Sequence, residues 1–233
     1  MFSNLISLAH FCDKHGPRVL LVTQCAENSE ELLLPSYPTD SYCESCLINF
    51  GGFKDEGLCS MRTKLQSKHY VSTQYSSIRY QLLYSIVRYM FSEETMSYDG
   101  SPLVFYDNSK GLNLVIGFKL QDANARGNER RYGLILTLDS HDHLKDMALL
   151  SHHWEFIING FNKMVGYIKK LRDDEIERKN RNETCGEFTP IVGAYLRGNK
   201  LKEPRNLANL TNDELIFVRL HKWNTFMLDV LGK

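Results

Sequence analysis

The chain has 233 residues, of which 42% are hydrophobic and 11% aromatic, so it is long enough to bury one large core, with or without a helical appendage. Its 28 basic residues balance its 28 acidic ones, which excludes both the charge excess of a disordered chain and the basic footprint of a nucleic-acid-binding protein. The amino terminus lacks the pattern of a signal peptide, and no apolar run reaches the roughly 18 residues of a transmembrane helix. We therefore expect a cytoplasmic protein.

The first part of the chain predicts a β-hairpin. Residues 4–12 and 18–25 are apolar and β-branched, and the turn-forming residues His15, Gly16 and Pro17 separate them. Residues 26–67 are rich in Ser, Pro, Glu, Gly and Lys, which is typical of a long surface insertion.

One helix and three strands are predicted next. Residues 68–75 alternate briefly and favour a short strand before the helix, whose apolar face recurs at helical spacing. Strict alternation then predicts three consecutive antiparallel strands. The apolar residues are, for the helix, Ile78, Leu82, Leu83, Ile86, Val87, Met90 and Phe91, and, for the strands, residues 103–106, 112–120 and 134–138.

The last third of the chain is predicted to be helical. An apolar stripe from Leu149 to Leu171 indicates one helix, or two in sequence, and residues 169–182 continue it as a charged end. Residues 183–210 resemble a linker, and a capping box over Thr211–Glu214 predicts a final amphipathic helix that ends near Leu231.

The predicted fold is therefore α+β. The order of hairpin, helix, three strands and helices is that of a longin or roadblock-like domain, with a five-stranded antiparallel sheet flanked by helices. We predict this domain over residues 1–182, including the insertion at about 26–67, and a linker with a C-terminal amphipathic helix over residues 183–233.

Two pairs of potential metal ligands are present among six scattered cysteines and eight histidines. Cys43 and Cys46 supply half of a tetrahedral zinc site, and Cys12 with His15 could supply the other half. Reduced thiols without a metal are the favoured interpretation, and a zinc-stapled insertion is the alternative. No metal or cofactor is expected, and no phosphate-binding or dinucleotide-binding motif is present.

Several blocks of sequence resemble the folliculin family. The most specific block is His10–Arg18, which joins a short cysteine and histidine motif to Gly-Pro-Arg. Cys43–Cys46, Tyr70–Ser72, Ser85–Arg88 and Asp122–Tyr132 follow in the family's order. The resemblance covers nearly the whole chain and is strongest to the short fungal members, which consist of a longin domain without the DENN domain. A piece of a longer member is the alternative.

The resemblance implies a regulatory subunit rather than an enzyme. Family members pair, longin to longin, with a folliculin-interacting partner that carries longin and DENN domains, and the pair stimulates GTP hydrolysis by a Rag-type small GTPase. This activity serves amino-acid signalling to the TOR complex at the vacuolar or lysosomal membrane and is linked to amino-acid permease trafficking. Membrane association is expected to be peripheral and through partners, and the isolated chain could form a homodimer through an exposed sheet edge.

The resemblance also identifies one candidate catalytic residue. Arg126 matches the position of the family's arginine finger, and it precedes a glycine in a polar loop between two predicted strands. A guanidinium in this place could neutralise charge on a GTPase's transferred phosphoryl group. Alternatively Arg126 is an ordinary solvated loop arginine, and the chain is a non-catalytic scaffold for assembling a membrane-trafficking complex.

Overall fold

A computed structural model describes residues 4–26, 42–48, 60–74, 80–92, 94, 96–140, 142–184 and 204–233. Its strands are β1 (Asn4–Cys12), β2 (Gly16–Ala26), β3 (Ser60–Leu65), β4 (Lys68–Thr73), β5 (Pro102–Asp107), β6 (Gly111–Gln121) and β7 (Glu129–Leu138). Its helices are α1 (Tyr80–Ser92), α2 (His143–His152), α3 (Trp154–Thr184), α4 (Leu207–Thr211) and α5 (Ile216–Leu231). Short 3₁₀ turns occur at Glu44–Cys46 and Arg126–Asn128.

The strands form one antiparallel sheet in the order β3-β4-β2-β1-β7-β6-β5. The α+β class with helices around an antiparallel sheet is confirmed, but the predicted number of five strands is wrong because β3 and β4 extend the sheet beyond β2 to seven. The strand β3 falls inside the stretch that was predicted to be a surface insertion. Other parts of that stretch, residues 27–41 and 49–59, lie outside the described residues.

The two faces of the sheet are covered by different helices. On one face, Ala9, Val115 and Ile135 pack with Ile86 and Met90 of α1. On the opposite face, the alternate strand residues pack with α3, α4 and α5. This larger core includes Ile6, Leu8, Leu114, Ile116, Leu134, Leu136, Ile157, Phe161, Ile168, Leu207, Phe217 and Leu228. The period-2 alternation of the strands thus divides the core into two layers.

A glycine lets α1 approach the sheet closely. A Cβ atom at Gly133 would lie 2.7 Å from Met90 Sδ, which is well inside van der Waals contact, so a larger residue here would displace the end of the Met90 side chain.

The C-terminal helix folds back on the sheet, and its predicted start is wrong. The stretch that reads as a capping box instead ends α4: the hydroxyl of Thr211 donates to the carbonyl oxygen of Leu207, and Asn212 takes a left-handed conformation with φ of 50°. The N-cap of α4 is Asn206, whose side-chain oxygen accepts from the amide of Asn209 at 2.8 Å. Helix α5 starts only at Ile216 because the left-handed conformation of Asn212 ends the preceding helix.

Among the helices of the described residues, none combines the length and the apolar character needed to cross a membrane.

Candidate functional site

The loop between β6 and β7, residues 122–128, is a compact turn; we call it the arginine loop. The amide of Asp122 donates to the carbonyl oxygen of Asn128 at 2.8 Å, which closes the loop at its base. Inside it, the amides of Ala125 and Asn128 donate to the carbonyl oxygens of Asp122 and Ala125. Gly127 and Asn128 both have positive φ, 74° and 60°, as such a tight reversal requires.

The carboxylate of Asp122 anchors this loop from inside the protein. It is fully buried and accepts from Arg130 Nε at 2.6 Å and from the amide of Asn124 at 3.0 Å. Arg130 is itself only 3% exposed, and Arg205 Nη1 lies 4.0 Å from the same carboxylate. An ion pair that is buried and hydrogen-bonded on both sides fixes the loop in one geometry.

A second arginine braces the base of the arginine loop against the helices. Arg172 Nε on α3 donates to the carbonyl oxygen of Gln121 at 2.7 Å, and its Nη1 donates to the carbonyl oxygen of Leu210 at 3.1 Å. Burial lowers the pKa of Arg172. The end of β6 is thereby joined to α3 and to α4.

Arg126 lies at the exposed tip of the arginine loop. Its amide donates to Asp13 Oδ2 at 3.1 Å, so the hairpin turn between β1 and β2 holds its backbone from outside. In the part of the chain that the structure describes, no acidic group forms an ion pair with its guanidinium. The backbone of Arg126 is fixed while its charged end faces solvent, which is the arrangement that a trans-acting arginine needs.

A second group of side chains meets beside this turn. Cys12 ends β1, His15 lies in the hairpin turn, Cys43 is the N-cap of the Glu44–Cys46 turn, and Cys46 is the last residue of that turn. We call these four residues the Cys–His cluster, and their potential ligand atoms all lie within 4.8 Å of one another. Folding thus brings together the two pairs that the sequence analysis left as half-sites.

The distances within the Cys–His cluster are short. Cys12 Sγ lies 3.5 Å from Cys43 Sγ and 3.6 Å from His15 Nδ1. Cys46 Sγ lies 3.7 Å from Cys43 Sγ and 3.5 Å from His15 Nδ1. None of the three sulfurs is in a disulfide.

The cluster favours a thiolate at Cys12. Hydrogen bonding from the Cys46 thiol lowers the pKa of Cys12, against the opposing effect of burial, and the backbone amides of His15 and Lys14 lower it further. The same interaction with Cys12 raises the pKa of Cys46. Ser45 Oγ approaches Cys43 Sγ at 3.0 Å and Cys12 Sγ at 3.7 Å.

Asp13 connects the two groups. It lies in the turn between the ligand-type residues Cys12 and His15 and accepts the amide of Arg126. The position of the arginine loop therefore depends on the same turn that carries half of the Cys–His cluster.

Sequence reasoning located Arg126 but missed the groups that hold it. The buried roles of Asp122 and Arg172 depend on contacts between segments 8 and 51 residues apart, and no local pattern predicts the longer of these contacts. One available signal was the spacing of Asp122 and Arg130, which the pairing of Gln121 with Glu129 brings to neighbouring positions.

Comparisons of the sequence with known proteins identify the family of the chain. Residues 68–231 match the family model described as "Folliculin: Vesicle coat protein involved in Golgi to plasma membrane transport". The chain belongs to the folliculin family.

The individual relatives differ in length. The chain is 56% identical to Protein LST7 of Saccharomyces cerevisiae over 98% of this chain and 96% of the yeast protein. It is 25% identical to human folliculin and 24% identical to bovine folliculin, again over 98% of this chain but over only 45% of either relative. Similarity to a short fungal family member is thus confirmed.

Proposed function

We propose that the chain is a regulatory subunit that pairs through its longin domain with a folliculin-interacting partner and stimulates GTP hydrolysis by a Rag-type small GTPase. The pair acts in amino-acid signalling to the TOR complex, in the cytoplasm and peripherally at the vacuolar membrane, and is linked to amino-acid permease trafficking. The chain has no substrate of its own in this proposal. The observation that carries it is the exposed Arg126 on an anchored loop.

The chemical argument concerns the charge that develops during phosphoryl transfer. A small GTPase without its own catalytic arginine is slow, and an arginine supplied in trans raises the rate by about 10³ to 10⁵. The supplied guanidinium must be unpaired before docking and its backbone must be positioned. Arg126 meets both conditions, because Asp13 and Asp122 hold the loop and the guanidinium has no ion-pair partner among the described residues.

A second candidate function is a trafficking scaffold that contributes no catalytic group. Two observations favour it: the description of the matching family model as a vesicle coat protein, and the exposed apolar and aromatic residues along the edge strand β5. Val104 and Tyr106 of β5 are 39% and 44% exposed on the face of the sheet opposite α1, and on the α1 face Tyr89, 39% exposed, contacts Phe105 in a tilted arrangement with ring centroids 4.7 Å apart. Exposed aromatic residues beside an open strand edge form a surface suited to a protein partner.

The two functions are separated by Arg126 variants assembled with the partner. We expect Arg126→Ala to reduce stimulated single-turnover GTP hydrolysis by roughly 10³-fold or more without weakening complex assembly. Arg126→Lys should be nearly as impaired, because an ammonium keeps the charge but lacks the planar donors. Arg181→Ala is the matched control: this arginine is also exposed and pairs with Glu177 on α3, and its loss should leave hydrolysis unchanged.

The scaffold function makes the opposite prediction. Stimulation that persists in Arg126→Ala at the wild-type level would remove the catalytic role and leave the scaffold as the better interpretation.

A further inference from the structure

The Cys–His cluster has the composition and the shape of a closed metal site. We propose that it binds a structural zinc ion through three cysteine sulfurs and His15 Nδ1. This proposal concerns the fold of the chain and does not depend on the GTPase role of Arg126.

The distances carry the proposal. A tetrahedral zinc ion with bonds of about 2.3 Å to sulfur and about 2.0 Å to nitrogen places two sulfurs about 3.8 Å apart and a sulfur and a nitrogen about 3.5 Å apart. The two short sulfur–sulfur distances are 3.5 and 3.7 Å, and the two short sulfur–nitrogen distances are 3.6 and 3.5 Å. Four of the six distances between the ligand atoms therefore match the edges of such a tetrahedron, and the atoms of the other two pairs lie within 4.8 Å of each other.

Neither of the non-metal alternatives explains this arrangement as well. A disulfide needs its sulfurs about 2.05 Å apart, and none of the pairs approaches this distance. Cysteines that only fill a core behave as small hydrophobic side chains, and such packing gives no reason for three sulfurs to converge on an imidazole nitrogen. Convergence of four ligand-type atoms on one point is what metal coordination requires.

The ligand set selects the metal and its role. Three thiolates and one imidazole in tetrahedral geometry favour zinc over hard cations such as magnesium and calcium. All four positions are filled by protein, which leaves no open position for water or substrate, so the ion is structural rather than catalytic.

The surroundings of the cluster are built as a support. The carbonyl oxygen of Cys46, itself fully buried, accepts from the side chain of Gln74, whose Oε1 accepts from the amide of Ile48. On the other side, Asn206 Nδ2 donates to Glu44 Oε1 at 2.9 Å. Residues 42–48 are thereby fixed to β4's end and to the start of α4, and the zinc ion would fix them to the first hairpin.

The test is the metal content of the full chain, expressed without a histidine tag and purified without chelators. Elemental mass spectrometry should find a stoichiometric amount of zinc in the purified wild-type chain. Cys43→Ser should lose it, and Cys25→Ser is the matched control. Cys25 is a free, half-buried cysteine on β2 that is not part of the cluster, so its variant should keep the full zinc content.

A second measurement protects the test against misfolding of the Cys43→Ser variant. Replacing zinc by cobalt in the wild-type chain should give the intense visible bands and the sulfur-to-metal charge-transfer band of tetrahedral thiolate coordination. Zinc-free wild-type protein that also fails to take up cobalt would overturn the proposal and leave a hydrogen-bonded thiol cluster. An intact-mass measurement that finds a disulfide among the four residues in freshly purified protein would overturn it as well.

Discussion

Asp122 is the residue on which the geometry of the arginine loop depends most. Its carboxylate is buried between Arg130 and the amide of Asn124, and it lies at the end of the strand that precedes Arg126. Removing one partner of a buried ion pair leaves the other charge buried and unpaired, and this penalty is much larger than the net contribution of the pair.

We therefore expect Asp122→Ala to lower the free energy of unfolding by about 3 to 5 kcal/mol in urea denaturation. The matched control is Glu129→Gln, which breaks the Lys119–Glu129 pair one residue from Arg130. Because that pair is 38% and 50% exposed, its loss should change stability by less than about 1 kcal/mol. Equal effects of the two variants would contradict the anchoring role of Asp122.

For single residues, the sequence predicted exposure to solvent better than it predicted the contacts that anchor a residue. Arg126 could be placed because it lies in a short polar stretch between two strongly alternating strands, and strict alternation fixes where strands end. Asp13 carried no such signal: an aspartate in a turn is ordinary turn chemistry. Its contact with Arg126 joins residues 113 positions apart.

At the scale of elements, α5 packs on the sheet through polar contacts as well as apolar ones. His221 accepts or donates at both ring nitrogens, with Thr63 Oγ1 of β3 at 2.8 Å and Ser72 Oγ of β4 at 2.6 Å. Nearby, Tyr70 donates to Asp229 Oδ1 at 3.1 Å and Asn224 donates to Thr23 Oγ1 at 2.9 Å.

We call these polar contacts between α5 and the sheet the polar seam. They explain why β3 and β4 were not counted in the predicted sheet. Strand β3 reads Ser-Met-Arg-Thr-Lys-Leu. On its inward face, Met61 and Leu65 pack at the margin of the core and Thr63 between them binds His221 of α5, so the apolar pattern is short and interrupted. The turn to β4 is formed at Gln66 with φ of 53°, where glycine or asparagine would have been the recognisable signal. Brief alternation predicted the strand that becomes β4, but hydrophobic periodicity could not reveal its hairpin partner β3.

The seam also predicts a pH dependence of stability. Burial, with a smaller contribution from the charge of Lys222, lowers the pKa of His221 from 6.5 to about 4. A folded-state pKa below the unfolded one means that the stabilisation is complete above about pH 6.5, declines as the pH falls towards about 4, and levels off below that.

Urea denaturation at a series of pH values should show this decline in the wild type. In His221→Gln, which keeps hydrogen-bonding groups but does not titrate, the slope between pH 6.5 and about 4 should be smaller. His10 is also buried, and its pKa is also lowered to about 4, but it is present in both proteins and cancels in the comparison. Identical slopes in the two proteins would show that His221 does not titrate in this way.

At the scale of the whole molecule, the sheet has two different edges. The edge at β3 carries the exposed, charged residues Arg62 and Lys64, which discourage the addition of another strand. The edge at β5 exposes Val104 and Tyr106 on the face opposite α1, where the ring of Tyr106 lies against His143 of α2 with centroids 4.0 Å apart. We expect the partner, or a second copy of the chain in its absence, to pair at the β5 edge.

This expectation is tested by charge substitution at each edge. Val104→Asp should weaken binding to the partner about tenfold, which corresponds to about 1.4 kcal/mol, and should reduce any self-association seen by sedimentation velocity at several concentrations. Arg62→Glu, on the opposite edge, should change neither. Partner binding of Val104→Asp at wild-type strength, together with a wild-type chain that stays monomeric at all concentrations, would rule out the β5 edge as the pairing surface.

The hydrogen bond from the amide of Arg126 to the carboxylate of Asp13 lowers the conformational entropy that a docking partner would have to remove. Ordering a flexible loop costs about 1 to 2 kcal/mol for each residue whose backbone is fixed, and residues 122–128 are already fixed by hydrogen bonds in the free chain. A partner that docks on this loop therefore has to order little more than the arginine side chain, at about 2 kcal/mol. The affinity of such a partner is set by the contacts it makes, because the loop's own ordering was completed when the chain folded.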